Sequence, residues 1–298
     1  MAKLLFCFII LYSIYQGIEK STDLQDLVKA GKDFSKAWQW LNDLRPNIKR
    51  TKAVVEALND VISNPSMITI LGDELDDILK KFMTAHKNSK WGWNKFSFEE
   101  HMRMLKVIAN TYEGVDGFNK SIRDALNNPN PAVQDGFWHM MKDLENRGIP
   151  KDKVKSFDLE FDGDDLPCIK CKFDVELNTN NATDLRYLEY KSYANASKIS
   201  KPQFLNYITK VENLEQLQYV FNKSKLSLQE AKNGMKEFLL SNSDDMFKAI
   251  NQGGLGKEKM KQLFEFGNFK FDNSTEFKNL LNMNETFRNN ALKFIKTN

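Results

Sequence analysis

The sequence predicts an α+β or α/β chain in which helices open the molecule, a small sheet occupies its middle and helices close it. Two observations carry that reading. Between residues 24 and 126 apolar side chains recur at spacings of three and four, the period of a helix with one buried face. Between Val154 and Ser192 the pattern switches to alternation, the period of strands whose successive side chains point to opposite faces. Glycine and proline are scarce, 14 and 7 in 298 residues, which suits a helix-rich fold.

Hydrophobic residues make up 41% of the chain and charged residues 28%, a balance that excludes a disordered polymer. The length suffices for one large domain or two smaller ones. A net charge of +3 neither demands nor excludes a nucleic-acid partner, because a local basic patch does that work. Of the three cysteines, Cys7 lies in the apolar N-terminus, and Cys168 and Cys171 form a lone C-x-x-C. A zinc ribbon needs a second ligand pair, and a thioredoxin-type motif opens a helix rather than a strand. The pair therefore reads as one buried thiol and one near a turn.

Residues 1–20 begin MAKLLFCFIILYSIYQG. A lysine precedes an apolar run that is shorter than a membrane span and as long as a signal-peptide core, although residues 13–17 lack a clean small-x-small cleavage site. An export signal is expected, its rivals being an apolar helix packed into the fold or a lipid-facing segment of a longer parent. Nothing later in the chain reads as a membrane span.

Residues 21–130 read as a helical domain. Ser21 to Asp23 offer an N-cap to a helix striped by Leu24, Leu27, Val28, Phe34, Trp38 and Leu41, and Pro46 interrupts it. A second helix runs from Ile48 to Ile62 and ends at Asn64-Pro65. A third runs from Ile70 to Met83, with Asp73, Glu74, Asp76 and Asp77 near its start and Lys80 and Lys81 near its end, in keeping with the helix dipole. Trp91, Trp93, Phe96 and Phe98 then interleave with Lys87, Lys90 and Lys95. Such a segment either stacks on single-stranded bases or pins its rings into a helical core. Helices follow from Phe98 to Tyr112 and from Val115 to Leu126. The run Asn127-Asn128-Pro129-Asn130-Pro131 marks a domain boundary.

Residues 131–240 hold the sheet. A helix from Ala132 to Asn146 precedes a strand from Val154 to Phe161. Asp162-Gly163-Asp164-Asp165 is expected to be a hairpin turn, since an EF-hand loop would need an acid where Ile169 stands. In the next strand Ile169, Cys171, Phe173 and Val175 alternate with Lys170, Lys172, Asp174 and Glu176. In the one after, Leu188, Tyr190 and Ser192 alternate with Tyr187, Glu189 and Lys191. A helix from Ser200 to Leu214 and a fourth strand at Gln216–Asn222 follow. Everything after Ser227 reads as helix apart from a Gly253-Gly254 turn, with residues 241–298 a C-terminal helical extension. His86, His101 and His139 fall on separate helices and read as surface or hydrogen-bonded histidines.

If the middle two strands pair, Asp174, Glu176 and Glu189 converge with Lys191 on one side of the sheet. Oxygen clusters of this kind hold Mg²⁺, and a neighbouring lysine can orient or deprotonate a water. The order helix, three strands, helix, strand is similar to the αβββαβ core of the restriction-endonuclease-like, PD-(D/E)xK nuclease superfamily. Its signature is an acid on the second strand and E-x-K or D-x-K on the third; Asp174 matches the first, and Glu189-Tyr190-Lys191 within RYLEYKSY matches the second. Gln203 and Tyr207, four apart and so on one helix face, resemble the Q-x₃-Y element of the RecB-like branch. The resemblance covers residues 132–222 and looks most like the nuclease domains of bacterial polymorphic toxins. On the first core helix, where many relatives carry a glutamate, this chain has Gln134, Asp135 and Glu145.

The resemblance implies metal-dependent hydrolysis of phosphodiester bonds, with DNA expected ahead of RNA. It implies Mg²⁺ (or Mn²⁺) on Asp174, Glu189 and the Tyr190 carbonyl, and Lys191 beside the attacking water. Glu176 is an alternative ligand, and Gln203 and Tyr207 position metal, phosphate or DNA. Lys170, Lys172, Lys198 and Lys201 are expected to contact backbone phosphates, which makes binding salt-dependent. It further implies an immunity protein in the producing cell, and a secreted or delivered effector if the N-terminus is a signal, otherwise a cytoplasmic protein. The rival readings are a non-catalytic nucleic-acid-binding or structural module of the same fold, and a helical secreted interaction protein.

Overall fold

The computed structural model describes residues 34–44, 48, 51–88, 97–128, 130–161, 171–181, 183–195, 198–248 and 256–298. The expectations for the apolar N-terminus, for Trp91 to Phe96, for the turn at residues 162–165 and for Gly253-Gly254 lie outside them. The chain divides into two compact units: residues 1–114 with 122–137, and residues 115–121 with 138–298.

The first unit is helical. It contains α1 (Ser35–Leu44), α2 (Lys52–Ile62), α3 (Pro65–Leu71), α4 (Leu75–Asn88) and α5 (Phe98–Tyr112). Leu58, Val61, Met67, Leu79, Phe82 and Leu105 are wholly buried, and each such side chain contributes roughly 1.5–3 kcal/mol of hydrophobic stabilisation. Local chemistry sets the helix starts. The Thr51 side chain accepts the Val54 N–H at 3.3 Å. Ser97 and Glu100 form a capping box, with Ser97 Oγ accepting the Glu100 N–H and Glu100 accepting the Ser97 N–H. Asn64-Pro65 does more than the expected ending of a helix. Asn64 Oδ1 accepts the Met67 N–H at 2.9 Å and Pro65 sits in the first turn of α3, where its missing N–H costs nothing. The single helix expected from Ile70 to Met83 is therefore α3, a 3₁₀ turn at Gly72–Glu74 with Gly72 at φ +57°, and α4.

α6 (Phe118–Asn127) and α7 (Pro131–Arg147) contribute residues to both units. The second unit continues through β1 (Val154–Phe161), β2 (Cys171–Leu177), β3 (Tyr187–Lys191), α8 (Lys201–Lys210) and β4 (Leu217–Phe221). It ends with α9 (Leu228–Lys248), α10 (Lys257–Phe264), α11 (Ser274–Met283), α12 (Glu285–Ala291) and β5 (Ile295–Thr297). One mixed sheet runs β1-β2-β3-β4-β5. The β1/β2 and β2/β3 pairs are antiparallel, while β3/β4 and β4/β5 are parallel. A parallel pair needs a long crossover, and α8 supplies the one from β3 to β4. The C-terminal extension is not all helix, as the sequence suggested: its last residues form β5. A three-residue strand is too short to show alternation.

β3 is the middle strand and is buried along its whole length. Its alternate residues face different helices. Tyr190 faces α7, where its hydroxyl donates to Asp143 Oδ2 at 2.8 Å. Tyr187 belongs to the other face, in a core with Phe173, Phe204, Tyr207 and Tyr219 that extends into α9–α12. The β1–β2 ladder is irregular: its register shifts between Val154 and Ser156, and the alternation of faces breaks again further along. Phe173 and Leu159 pack with the α8-side core, whereas the adjacent register pair Phe157↔Val175 does not. The residue at the break in β1 is Asp158, at φ +50°, a left-handed conformation seldom adopted by residues other than glycine.

Residues 115–118 bolt onto the edge of β1. Asp116 bridges Ser156, and the Phe157 N–H donates to the Asp116 carbonyl at 2.9 Å. Gly117 is at φ +73°, and a Cβ there would lie 2.0 Å from the Phe157 carbonyl oxygen. Gly117→Ala should therefore destabilise the second unit by more than about 1–3 kcal/mol, the usual cost of a strained backbone position. Thermal or denaturant unfolding checks this; an unchanged midpoint would show that the edge yields.

Candidate functional site

The E-x-K of β3 places Glu189 and Lys191 on one face, since residues two apart in a strand point the same way. Both are almost wholly buried, at 2% and 5% exposure. Lys191 Nζ donates to Glu189 Oε1 and, at 2.8 Å, to Gln203 Oε1. Gln203 Nε2 donates to the Tyr207 hydroxyl at 2.6 Å, and that hydroxyl donates to the Lys172 carbonyl. α8 can do this because Ser200 caps it and Gln203 and Tyr207 are one turn apart. The Q-x₃-Y pair thus clamps the lysine: it fixes Nζ by one side-chain bond and anchors α8 to β2 by another. The Lys191 ammonium also lies 5.7 Å from the ring centres of both Tyr193 and Tyr219, within cation–π range.

Asp174 reaches the same place from β2. In the β2/β3 pair Glu176 lies opposite Tyr187 and Val175 opposite Leu188. One step further along, Asp174 Oδ2 takes the Tyr190 N–H at 2.6 Å. The carboxylate stands in for a backbone carbonyl where the strands part.

Burial shapes the acidity of the group. It pushes the Asp174 carboxyl well above the ordinary carboxylate range, the nearby Glu189 charge adds to the rise, and Lys191 and the Tyr190 N–H oppose it. Glu189 is also raised, by burial, with Lys191 the main counterweight. Burial works against the Lys191 ammonium, but Glu189, Tyr193 and Asp174 outweigh it and keep the lysine charged. Two acids that repel each other in a dry place are short of positive charge.

That deficit tests whether a divalent cation fits. Glu189 Oε2 is buried and has no hydrogen-bond partner among the described residues. The Tyr207 hydroxyl and the Asp174 N–H lie close enough to Glu189 to lower its pKa, but the hydroxyl's single proton goes to the Lys172 carbonyl. An orphaned carboxylate oxygen beside a second carboxylate suits a hard cation. No group of three or more His, Cys, Asp or Glu gathers among the described residues. Two carboxylates beside a lysine are fewer protein ligands than a closed metal cage supplies.

The structure brings Asp174, Glu189, Tyr190, Lys191, Gln203 and Tyr207 together. It does not bring Glu176. That carboxylate is 1% exposed and takes Arg186 at 2.8 and 3.0 Å, Lys155 at 3.1 Å and Ser156 at 3.4 Å, so its charge is already compensated. Lys172 pairs with Asp158 at 3.0 Å, and Lys201 with Asp245. Lys198 is exposed, and Lys170 lies outside the described residues. On α7 both Asp135 and Asp143 are buried, and Asp143 takes the Tyr190 hydroxyl and Arg147 on the far side of β3. Gln134 bonds the Asn128 carbonyl, and Glu145 pairs with Lys142. His139 bonds the Val220 carbonyl at 2.9 Å and His101 the Ser97 carbonyl at 3.1 Å, as the hydrogen-bonded reading anticipated; the His86 side chain lies outside the described residues. Cys171 is buried but disulfide-bonded rather than a free thiol; Cys7 and Cys168 lie outside the described residues.

No family model, curated protein or solved structure matches this chain, so the reading of the site rests on its own geometry.

Asp174→Asn keeps an acceptor for the Tyr190 N–H and removes the ionisable carboxyl. Because burial raises the Asp174 pKa, folding is penalised as pH climbs above the ordinary carboxylate range, and the penalty is complete above the raised value. Below the ordinary carboxylate range both folded and unfolded forms are protonated, and the burden vanishes. In EDTA, Asp174→Asn should therefore melt higher than wild type at neutral pH, by on the order of 2–4 °C per kcal/mol relieved. The gain should fade toward pH 3. A variant that melts lower at pH 7 would contradict the electrostatics drawn here.

Proposed function

We propose that this protein is a metal-dependent nuclease hydrolysing phosphodiester bonds, in the manner of the PD-(D/E)xK superfamily. The observation that carries the reading is the trio of a half-buried Asp174 with a buried Glu189 and Lys191. Asp174 and Glu189 stand side by side with one carboxylate oxygen unpartnered, and Lys191 is fixed beside them by Gln203. The order α7, β1, β2, β3, α8, β4 supports it, because that is the helix and strand order of the nuclease core.

In this reading Asp174 and Glu189 would hold Mg²⁺ or Mn²⁺, with the Tyr190 carbonyl as a third donor. Bound there, the ion supplies Lewis-acid stabilisation of phosphate charge. The remaining work belongs to the chain. Lys191, charged and immobilised, presents a donor to a water or a phosphoryl oxygen without reorganising during the reaction. Gln203 holds the Lys191 ammonium in one rotamer, and Tyr207 holds Gln203. The carboxylates orient the group that arrives between them. DNA is the preferred substrate, with RNA a second outcome of the test. Delivery as the toxin domain of a secreted bacterial effector, countered by an immunity protein, belongs to the same proposal. Among the described residues no helix is long and apolar enough to cross a membrane.

Incubation of purified protein with supercoiled plasmid or with single-stranded RNA, with and without Mg²⁺, tests the activity. Asp174→Ala, Glu189→Ala and Lys191→Ala should each lower cleavage by on the order of 10²–10³-fold. Gln203→Ala should lower it by roughly 10-fold through loss of positioning. Wild-type protein that cuts neither substrate, or cuts as well in EDTA, would return the fold to the non-catalytic binding reading.

A further inference from the structure

The site contains a group that none of its motifs includes. Tyr219 lies on β4 in parallel register with Glu189, so the two side chains are neighbours on the α8 face of the sheet. It is wholly buried, and its hydroxyl has no hydrogen-bond partner among the described residues. Glu189 Oε2 is in the same condition. Protein interiors leave few polar groups alone, and two in one place point to a small polar molecule that serves both. The Tyr219 ring cannot swing away to find another partner: it is packed against Phe204, Tyr207 and Phe294, with ring centres 6.0, 6.2 and 5.9 Å away. Burial and then the neighbouring acids keep the phenol protonated, so it is available as a donor.

We propose that Tyr219 Oη and Glu189 Oε2 together hold one buried water at the floor of the site, and that Tyr219 is thereby a positioning residue for Glu189. The chemistry of the two atoms selects water. The carboxylate oxygen only accepts, the phenol can donate, and a water donates to the first while accepting from the second. The water takes one of the two acceptor positions of Oε2 and leaves the other open to a cation, so with Lys191 on Oε1 the plane of the carboxylate is set before any ligand arrives. Support of this kind around a metal-binding carboxylate typically changes metal affinity by 10- to 100-fold.

This inference rests on the metal-site reading above, and the test separates the two. Mn²⁺ is titrated calorimetrically into wild type and Tyr219→Phe, and both are crystallised in EDTA. Wild type is expected to show a water within hydrogen-bonding distance of both atoms. Tyr219→Phe is expected to keep the backbone, lose that water and bind Mn²⁺ about 10-fold more weakly. Equal Mn²⁺ affinity in the two proteins, or no water against the Tyr219 hydroxyl in wild type, overturns the role of Tyr219 while leaving the metal site standing. Wild type that binds no Mn²⁺ overturns both.

Discussion

The ion pair between Lys191 and Glu189 sits at the centre of a five-stranded sheet, almost out of reach of water. Removing two charges from solvent costs several kcal/mol per ion, and their attraction repays it only with good geometry and extra hydrogen bonds. The surroundings supply some of those bonds. Gln203 takes a second Lys191 proton, and Tyr207 and the Lys172 carbonyl hold Gln203 in place. The compensation stops short of Asp174 and of Glu189 Oε2, where two acids meet with too little positive charge. A fold shaped only for stability would fill this face with leucine. Keeping three ionisable groups here is intelligible if a cation and a phosphate complete the set.

The sheet is distorted where the site needs it. β2 and β3 separate beside Asp174, and the freed Tyr190 N–H is satisfied by the carboxylate instead of a backbone carbonyl. Across the ladder, Asp158 takes a left-handed backbone and an ion pair with Lys172. Strained positions of this kind persist when the surrounding structure fixes them, and they gather at functional sites. Gly117 and Asp116, fastened to the edge of β1 at Ser156 and Phe157, fix the strand just before the strained residue. Asp174 is thus aimed by a sheet irregularity, and Glu189 and Lys191 by regular alternation.

Sequence alone revealed much of this. β1, β2 and β3 were legible because alternation over five or more residues has no helical counterpart, β4 was read only as a short run after a helix, and E-x-K was legible because residues two apart share a face. β5 was hidden by its brevity. Asn64-Pro65 was misjudged because the pair that stops one helix also caps the next. Glu176 shares the face of Asp174 in the pattern, but its fate depends on Arg186 and Lys155, and pairing over such distances leaves no local trace. Tyr219 was within reach: parallel pairing of Gln216–Asn222 with RYLEYKSY would have set it against Glu189. The register needed for that step comes only from the folded sheet.

The central claim is that Asp174 and Glu189 are two ligands of one divalent cation. Anomalous diffraction from crystals soaked in MnCl₂ tests it most directly. A single strong peak is expected within coordinating distance of an Asp174 carboxylate oxygen and of Glu189 Oε2, about 2–2.5 Å from each, with Lys191 still bonded to Gln203. A map with no peak there, or with Mn²⁺ instead on Glu176, would contradict it.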